Sequence, residues 1–228
     1  MIKTLVCIGG GEIRSKETLE IDAFCASLAR KHAGEVRPTA VFVGTASHDS
    51  LPYFNSFRKT YTSNFDIKAD LALLTKKDIP MDKIKDKLLK ANLIYVGGGN
   101  TIFMLDTWRS TGFLDLIIDA YHRGVPIVGL SAGAICWFED MYTDSQEGSE
   151  YALRKGLGII EGLMSPHYDN RPEFDEVAKD FKTAYAVENK SAIVFKDGVL
   201  KGSLTSGGNA YVIKNGVKEI VKNINLDN

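Results

Sequence analysis

The chain has 228 residues, of which 44% are hydrophobic and 25% are charged, and its formal net charge is −1. This composition is typical of a globular protein with a buried core, and its balanced charge provides no basic surface for a nucleic acid or an anionic membrane. No Pro-rich, Ser-rich or charged linker divides the chain, so a single domain over residues 1–228 is predicted.

Three cysteines and one short apolar run indicate the cellular compartment in which the protein is expected. The run at residues 4–8 ends in glycines, which makes it too short for a leader or for a membrane span, since a span needs roughly 18 to 20 apolar residues. Cys7, Cys25 and Cys136 are scattered through apolar patterns, which is typical of reduced, buried thiols rather than of disulfides or a metal site. We therefore expect a cytoplasmic protein.

Short apolar runs alternate with amphipathic segments through the first two thirds of the chain. Runs rich in Val, Ile and Leu predict strands at 4–8, 39–43, 69–74, 93–96 and 125–128. Apolar residues that recur every three or four positions predict helices at 16–31, 51–63, 81–90 and 102–121. This order predicts an α/β fold, in which a mostly parallel sheet has helices on both faces.

The last third has the pattern of antiparallel hairpins. Asp197-Gly198 and Asn215-Gly216 each stand between two apolar runs, and both dipeptides favour the two-residue turns that join antiparallel strands. We expect these C-terminal hairpins to extend the parallel sheet.

A serine stands between an apolar strand and a helix of small residues. Ser131 lies in the run Gly-Leu-Ser-Ala-Gly, directly after the predicted strand at 125–128. A turn of this type exposes the serine hydroxyl, and it needs both glycines because a Cβ at either position would collide with the turn. The following helix directs backbone N–H groups to the point where an oxyanion would form. The pattern therefore favours a nucleophilic serine over one that only caps a helix.

A catalytic serine needs a base, and the chain has four histidines. Three of them lie at polar helix ends or in a loop without a supporting pattern. His167 instead ends an apolar stretch, which would place it at the rim of the sheet beside Ser131. The carboxylate that orients this histidine could belong to Asp169 or to Glu188, and their spacing leaves both open.

A glycine-rich loop, Gly97-Gly-Gly-Asn-Thr101, follows the predicted strand at 93–96. Consecutive glycines let a backbone approach a ligand closely and aim N–H groups at an oxyanion or a phosphate. The loop lacks the spacing of the nucleotide-binding motifs. A second oxyanion donor is therefore the simpler interpretation.

Four motifs, in this order, resemble those of peptidase family S51, which contains aspartyl dipeptidase (dipeptidase E) and cyanophycinase. They are Tyr-Val-Gly-Gly-Gly-Asn-Thr-Ile-Phe, Gly-Leu-Ser-Ala-Gly-Ala, Ser-Pro-His-Tyr and Val-Glu-Asn-Lys-Ser-Ala-Ile, all within residues 5–195. The resemblance implies a class I glutamine amidotransferase-like fold with serine in place of cysteine. It also implies a serine peptidase that acts on small peptides and needs no metal or other cofactor.

The same resemblance implies roles for individual residues. Ser131 is expected to be the nucleophile, His167 the general base and acid, and Glu188 the acid that orients His167. Oxyanion N–H groups and contacts at the border of the substrate site are implied for four further residues: Gly98, Gly99, Asn100 and Ala132.

One departure from the family pattern bears on specificity. In this family, aspartyl dipeptidase recognises an N-terminal aspartate through an arginine in a helix that follows the histidine. Here Arg171 comes too early, and the next cations that could serve are Lys179 and Lys182. Lysine does not replace a bidentate arginine without loss, so we do not expect a preference for N-terminal aspartate.

Two other functions stay open at the level of sequence. An esterase or amidase could use the same three residues on another acyl substrate, because only the pocket would differ. A catalytically silent small-molecule-binding domain could keep the same scaffold, although an intact set of serine, histidine and acid argues against it. The sequence does not specify the oligomeric state, so a homo-oligomer also stays open.

Overall fold

The computed structural model describes residues 1–76, 79–145 and 150–224. The strands are β1 Thr4–Ile8, β2 Thr39–Val43, β3 Lys68–Ala72, β4 Leu93–Val96, β5 Ile127–Leu130, β6 Phe138–Thr143, β7 Ala152–Lys155, β8 Ile160–Ser165, β9 Thr183–Val187, β10 Ser191–Lys196, β11 Val199–Thr205, β12 Ala210–Lys214 and β13 Val217–Ile220. The α-helices are α1 Leu19–Ala33, α2 Leu51–Phe65, α3 Met81–Leu89, α4 Thr101–Thr111, α5 Phe113–His122, α6 Ala132–Ile135 and α7 Phe174–Ala178.

The first sheet has seven strands in the order β11-β10-β1-β5-β4-β2-β3. The strands β1 to β5 are mutually parallel, and the β10–β11 hairpin adds two antiparallel strands at the edge of β1. Alternate residues of β1 pack into two apolar clusters, one with α1 and α2 and the other with α3, α4 and α5. The predicted α/β fold, with a mostly parallel sheet and helices on both faces, is therefore confirmed.

A second sheet, which the sequence patterns did not predict, has six strands in the order β13-β12-β9-β8-β6-β7. It contains the β12–β13 hairpin, so only the first of the two C-terminal hairpins extends the parallel sheet. Both turns form at the predicted dipeptides, with positive φ at each of their two residues, as the tight turn of a hairpin requires. The turn chemistry is local, whereas the choice of sheet depends on distant packing partners.

Three aromatic rings join the two sheets. Phe195 of the first sheet packs against Phe138 and Tyr185 of the second, with ring centroids 5.7 and 5.4 Å away. Phe138 and Phe195 are fully buried and Tyr185 nearly so. This packing brings the carboxyl-terminal ends of β5 and β8 toward each other.

Several element boundaries differ from the sequence expectations; α1, for example, begins at Leu19 rather than at residue 16. The segment 102–121 forms two helices rather than one, because Gly112 ends α4 in the left-handed conformation with φ of 77°. The last strand of the parallel set, β5, begins two residues later than expected and runs directly into Ser131. All three cysteines are buried and unpaired. Within the described ranges, every helix is too short or too polar to cross a membrane.

A buried carboxyl group links α1 to α2. Asp22 of α1 is fully buried, and its two oxygens accept hydrogen bonds from the hydroxyls of Thr18, at 2.8 Å, and Tyr61, at 3.0 Å. Burial raises the pKa of Asp22 to about 6, although both hydrogen bonds act to lower it.

We expect this group to make the protein less stable as the pH rises from about 4 to about 7. The folded-state pKa of about 6 exceeds the ordinary value of 3.8, so the folded state holds this proton more tightly than the unfolded state, and the resulting stability is lost as the pH passes through 6. A shift of this size corresponds to about 3 kcal/mol. We expect urea unfolding to show that the free energy of unfolding of the wild type falls between the two pH values, relative to that of Asp22→Asn, by up to that amount. A difference that does not vary with pH would contradict the assignment.

Candidate active site

Ser131 occupies a sharp turn between β5 and α6. Its φ of 53° and ψ of −109° are a strained combination for a residue with a side chain. A Cβ at Gly129 would overlap the carbonyl of Gly133, and a Cβ at Gly133 would overlap the carbonyl of Val96. The requirement for both flanking glycines is therefore confirmed, and the tight turn carries the serine hydroxyl into an open pocket.

His167 lies beside Ser131, as expected, but it comes from the second sheet rather than from the sheet that carries the serine. It follows β8 and has a φ of 52°. Its Nε2 atom is 2.8 Å from Ser131 Oγ. The two side chains therefore meet at the junction of the two sheets.

Asn189, rather than a carboxylate, is the partner on the other side of the imidazole. Its Oδ1 atom is 2.7 Å from His167 Nδ1. Its Nδ2 atom donates to both carboxylate oxygens of Asp169, at 3.0 and 2.8 Å, and its backbone N–H donates to the same carboxylate at 2.9 Å.

This chain of hydrogen bonds determines where the histidine proton sits. A carboxylate only accepts hydrogen bonds, so the amide nitrogen of Asn189 must face Asp169 and its oxygen must face His167. That oxygen also only accepts, and therefore His167 carries its proton on Nδ1. Nε2 is left free to accept the hydroxyl proton of Ser131.

Glu188 does not occupy the position that the family resemblance implies for it. Its carboxylate accepts hydrogen bonds from the backbone N–H of Asn209, at 2.7 Å, and from the hydroxyl of Tyr211, at 3.4 Å. Glu188 and Asn189 are the first residues after β9, where the chain turns, and their side chains reach different partners. Asn189 is thus turned toward His167 and Glu188 toward the segment around β12. Of the two acids left open by the sequence, Asp169 is the one connected to the histidine, through Asn189.

The surroundings keep the histidine neutral and the carboxylate charged. Burial lowers the pKa of His167, and the positive charge of Arg171 lowers it further, against the opposing effects of Asn189 and Asp169. Burial by itself raises the pKa of Asp169, but the hydrogen bonds from Asn189 outweigh it, so that the pKa lies below its ordinary value. A neutral imidazole is the form that accepts a proton.

A second glycine loop, Gly9-Gly-Gly11, supports the histidine. The backbone N–H of His167 donates to the carbonyl of Gly9 at 3.0 Å, and the N–H of Lys190 donates to that of Gly10 at 2.9 Å. A Cβ at Gly10 would overlap both the amide oxygen of Asn189 and the ring of His167. The sequence placed this loop at a strand end, and the tertiary packing assigns it to the histidine.

The predicted oxyanion donors differ in whether their N–H groups already donate a hydrogen bond. The N–H groups of Ala132 and Gly99 donate to no described residue. The N–H of Gly98 donates to the hydroxyl of Tyr53 at 3.3 Å. A Cβ at Gly98 would lie only 3.3 Å from the Cβ of Ser131, so this amide is close to the nucleophile.

Asn100, which is expected at the border of the substrate site, has its side chain engaged at the start of α4. Its side-chain oxygen accepts from the backbone N–H of Phe103 at 2.9 Å and thereby caps α4. Asparagine is among the residues preferred at this position of a helix. The side chain therefore orients the helix that follows the glycine loop.

Ser131 and His167 open onto a pocket of about 720 Å³, a size suited to a small molecule or a short peptide. Gly98 and Gly99 line it, together with Tyr53 of α2. Arg14, in the turn after β1, is also part of its wall.

The three cations considered from the sequence for an acidic substrate do not line this pocket. Arg171 is buried, and it donates to the carbonyl of Tyr142 at 2.9 Å and to the hydroxyl of Ser165 at 3.0 Å. Lys179 and Lys182 are both exposed on the surface beyond it. Arg14 does line the pocket, together with Glu12, so the wall carries one residue of each charge, and no sequence motif pointed to either.

We expect Gly10→Ala to separate His167 from Asn189 while leaving the fold intact, because the added methyl group requires the space of both side chains. Overpacking of this kind costs about 1 to 3 kcal/mol. Imidazole ¹⁵N–¹H NMR should show an Nδ1–H tautomer in the wild type and its loss or exchange broadening in the variant. Gly34→Ala controls for destabilisation away from the site, since a Cβ there meets nothing within 4 Å while the φ of 67° strains any residue with a side chain. An unchanged imidazole spectrum in Gly10→Ala would contradict the predicted contact.

Comparison with known proteins finds relatives that match half or more of the chain. Uncharacterized peptidase YgaJ of Bacillus subtilis (strain 168) is 29% identical over 230 residues, which covers 97% of this chain and 96% of that protein. Uncharacterized peptidase Lmo0363 of Listeria monocytogenes is 30% identical over 155 residues, covering 65% and 74%. Peptidase E of Shewanella sp. (strain W3-18-1) is 28% identical over 122 residues, covering 53% and 50%.

Solved structures share the fold. The crystal structure of a peptidase from an acI-B1 Actinobacterium aligns with a TM-score of 0.76 at 18% identity, over 97% of this chain and 95% of that one. A putative peptidase E from Listeria monocytogenes EGD-e aligns with a TM-score of 0.65 at 21% identity, over 90% and 99%. The profile of Peptidase family S51 matches residues 5–201. The chain therefore belongs to peptidase family S51, and this membership supports a peptidase activity.

Proposed function

We propose that the protein is a serine peptidase that hydrolyses small peptides through an acyl-enzyme on Ser131. The observation that carries the proposal is the 2.8 Å contact between Ser131 Oγ and a His167 ring whose other nitrogen is held by Asn189. A nucleophile next to an oriented base is the signature of covalent catalysis. Membership of a peptidase family supports a peptide as the acyl donor.

In the first step, Ser131 Oγ attacks the scissile carbonyl carbon, and its proton passes to His167 Nε2. The carbonyl π electrons move onto the oxygen, which becomes an oxyanion near the N–H groups of Ala132 and the glycine loop. When the tetrahedral intermediate collapses, the C–N bond breaks and the amine leaves with the proton from His167. Water then repeats the sequence on the ester and releases the acid.

Asn189 and Asp169 act as positioning residues behind the histidine. Asn189 is uncharged, so it selects the tautomer of His167 without neutralising the imidazolium that forms. The counter-charge comes from Asp169, one residue further along the chain of hydrogen bonds. An asparagine next to the histidine also occurs in the Cys-His-Asn sites of papain-like proteases.

The proposal is tested with purified protein and a library of dipeptides that vary in the N-terminal residue. Wild type should release free amino acids from at least one member, and Ser131→Ala should lower kcat by at least about 10³-fold, because no other group replaces the nucleophile. A fluorophosphonate should label Ser131 in the wild type and leave Ser131→Ala unlabelled.

Ser110→Ala is the control, since this exposed serine lies on α4 and donates only to a carbonyl of its own helix. Pairs of Asp-X and Asn-X peptides belong in the library because Arg14 and Glu12 both line the pocket, so the preference for a substrate carboxylate needs a direct comparison. Cleavage that persists at the wild-type rate in Ser131→Ala would overturn the proposal.

A second prediction compares the two acids. Asp169→Asn should lower kcat/KM by about 10- to 100-fold, which is typical when a residue that orients a site residue through hydrogen bonds is lost. Glu188→Gln should change it by less than about threefold, because Glu188 bonds to Asn209 and Tyr211 instead. The opposite ranking would return the orienting role to Glu188.

The pH profile gives an independent readout for the same pair. His167 must be neutral to act as a base, and its pKa is lowered, so the activity of the wild type should fall only as the pH drops through a value below 6.5. Asp169 raises the pKa of His167. Removal of its charge should therefore move the acid limb of Asp169→Asn to a lower pH, whereas Glu188→Gln should leave the limb in place.

A further inference from the structure

Tyr53 places a hydroxyl group at the position where the glycine loop is expected to bind an oxyanion. The residue lies in the first turn of α2, is half-buried, and lines the pocket together with Ser131 and His167. Its hydroxyl oxygen accepts the hydrogen bond of the Gly98 N–H at 3.3 Å. One of the backbone donors predicted from the sequence is therefore already used.

The packing keeps this ring in place. Phe42 of β2 meets it edge-on, with ring centroids 5.0 Å apart. A Cβ at Gly97 would lie 2.8 Å from the ring carbon Cε1, so the ring lies directly on the glycine loop. Such a ring, fixed on two sides, holds its hydroxyl at a defined point in the pocket.

The hydroxyl still has a proton to donate. A tyrosine hydroxyl can donate one hydrogen bond and accept others, and here it accepts one from Gly98. No described residue accepts the Tyr53 proton, which leaves it available to a group that enters the pocket. The incoming N–H also polarises the O–H bond and makes it a better donor.

The position is close to the reacting atoms. A Cβ built on Gly98 would lie 3.3 Å from Ser131 Cβ and 3.2 Å from Leu130 Cδ2. The amide that binds the Tyr53 hydroxyl therefore belongs to the residue packed against the nucleophile. A carbonyl attacked by Ser131 has its oxygen in this neighbourhood or next to the N–H of Ala132.

We propose that the Tyr53 hydroxyl is a catalytic hydrogen-bond donor to the substrate oxyanion, in the place that the family pattern assigns to the N–H of Gly98. The inference rests on the proposed serine peptidase function. Tyr53 keeps its proton throughout. The Ser131 proton goes to His167, the carbonyl π electrons go to the substrate oxygen, and Tyr53 and Ala132 stabilise the resulting charge.

The ionisation of Tyr53 is compatible with this role. Burial raises its pKa to about 12, although the hydrogen bond from Gly98 acts to lower it. The hydroxyl therefore stays protonated over the pH range in which His167 is a neutral base. The donor and the base are thus both in their working forms at neutral pH.

Tyr53→Phe tests the proposal, because it keeps the ring and removes only the hydroxyl. We expect kcat for the best dipeptide to fall by about 10²-fold, the size of effect of one oxyanion donor, with KM changed by less than about threefold. The second-order rate constant for fluorophosphonate labelling of Ser131 should fall in parallel. The matched control is Tyr95→Phe, in the same aromatic cluster. The hydroxyl that it removes has no hydrogen-bond partner among the described residues. This control should leave both rates within about twofold of the wild type.

The possible outcomes distinguish a failure of the role of Tyr53 from a failure of the serine peptidase function on which it rests. A wild type that is neither labelled nor active overturns the proposed function, and the role of Tyr53 falls with it. An active wild type with equal or faster rates in Tyr53→Phe overturns the inference alone, since the freed Gly98 N–H would then be the donor. A rise in KM at constant kcat also overturns it, because Tyr53 would then only contribute to substrate binding.

A second measurement applies if Tyr53→Phe does not fold. Site-specific replacement of Tyr53 by 3,5-difluorotyrosine keeps the hydroxyl and lowers its pKa by chemical substitution. The activity should then fall on the alkaline side at a lower pH than in the wild type, because an ionised hydroxyl no longer donates. An alkaline limb that coincides with that of the wild type overturns the inference.

Discussion

The contact between Ser131 and His167 depends on a close approach of two β-sheets at a loop without side chains. The serine follows a strand of the first sheet, and the histidine follows a strand of the second. The loop at Gly9 and Gly10 crosses between them and binds the backbone on both sides of the His167–Asn189 pair. Any side chain at Gly10 would occupy the space of that pair. The geometry of the site therefore depends on backbone packing as much as on the reactive groups.

The histidine is oriented by a neutral amide, and the negative charge lies behind that amide. Asn189 contacts His167 directly, whereas Asp169 is connected to His167 only through Asn189. A charge at this longer distance stabilises an imidazolium less than a direct carboxylate would, which is consistent with the lowered pKa of His167. In exchange, the carboxylate locks the amide in one orientation, and the amide locks one tautomer of the base. Orientation and charge are thus provided by different residues.

Part of the wall of the pocket comes from segments of the chain outside the four family motifs. Arg14 lies in the turn after β1, and Tyr53 lies at the start of α2. Both segments follow strands of the parallel sheet at their carboxyl-terminal ends, where ligands of α/β proteins bind. The serine and histidine and this part of the wall are therefore carried by separate elements. A change in the wall can alter specificity while the serine and histidine stay the same.

The sequence by itself determined the features that depend on neighbouring residues. These were the strands at 4–8, 39–43 and 93–96, both hairpin turns, and the serine turn with its two obligatory glycines. The pairing of Ser131 with His167 spans 36 residues, that of His167 with Asn189 spans 22, and that of Tyr53 with Gly98 spans 45. Tertiary structure decided these pairings, together with the choice of Asn189 over Glu188 at the histidine. The physical reason is that the direction of a side chain after a strand end, and the surface that it meets, are set by the packing of the two sheets and not by the local pattern of residues.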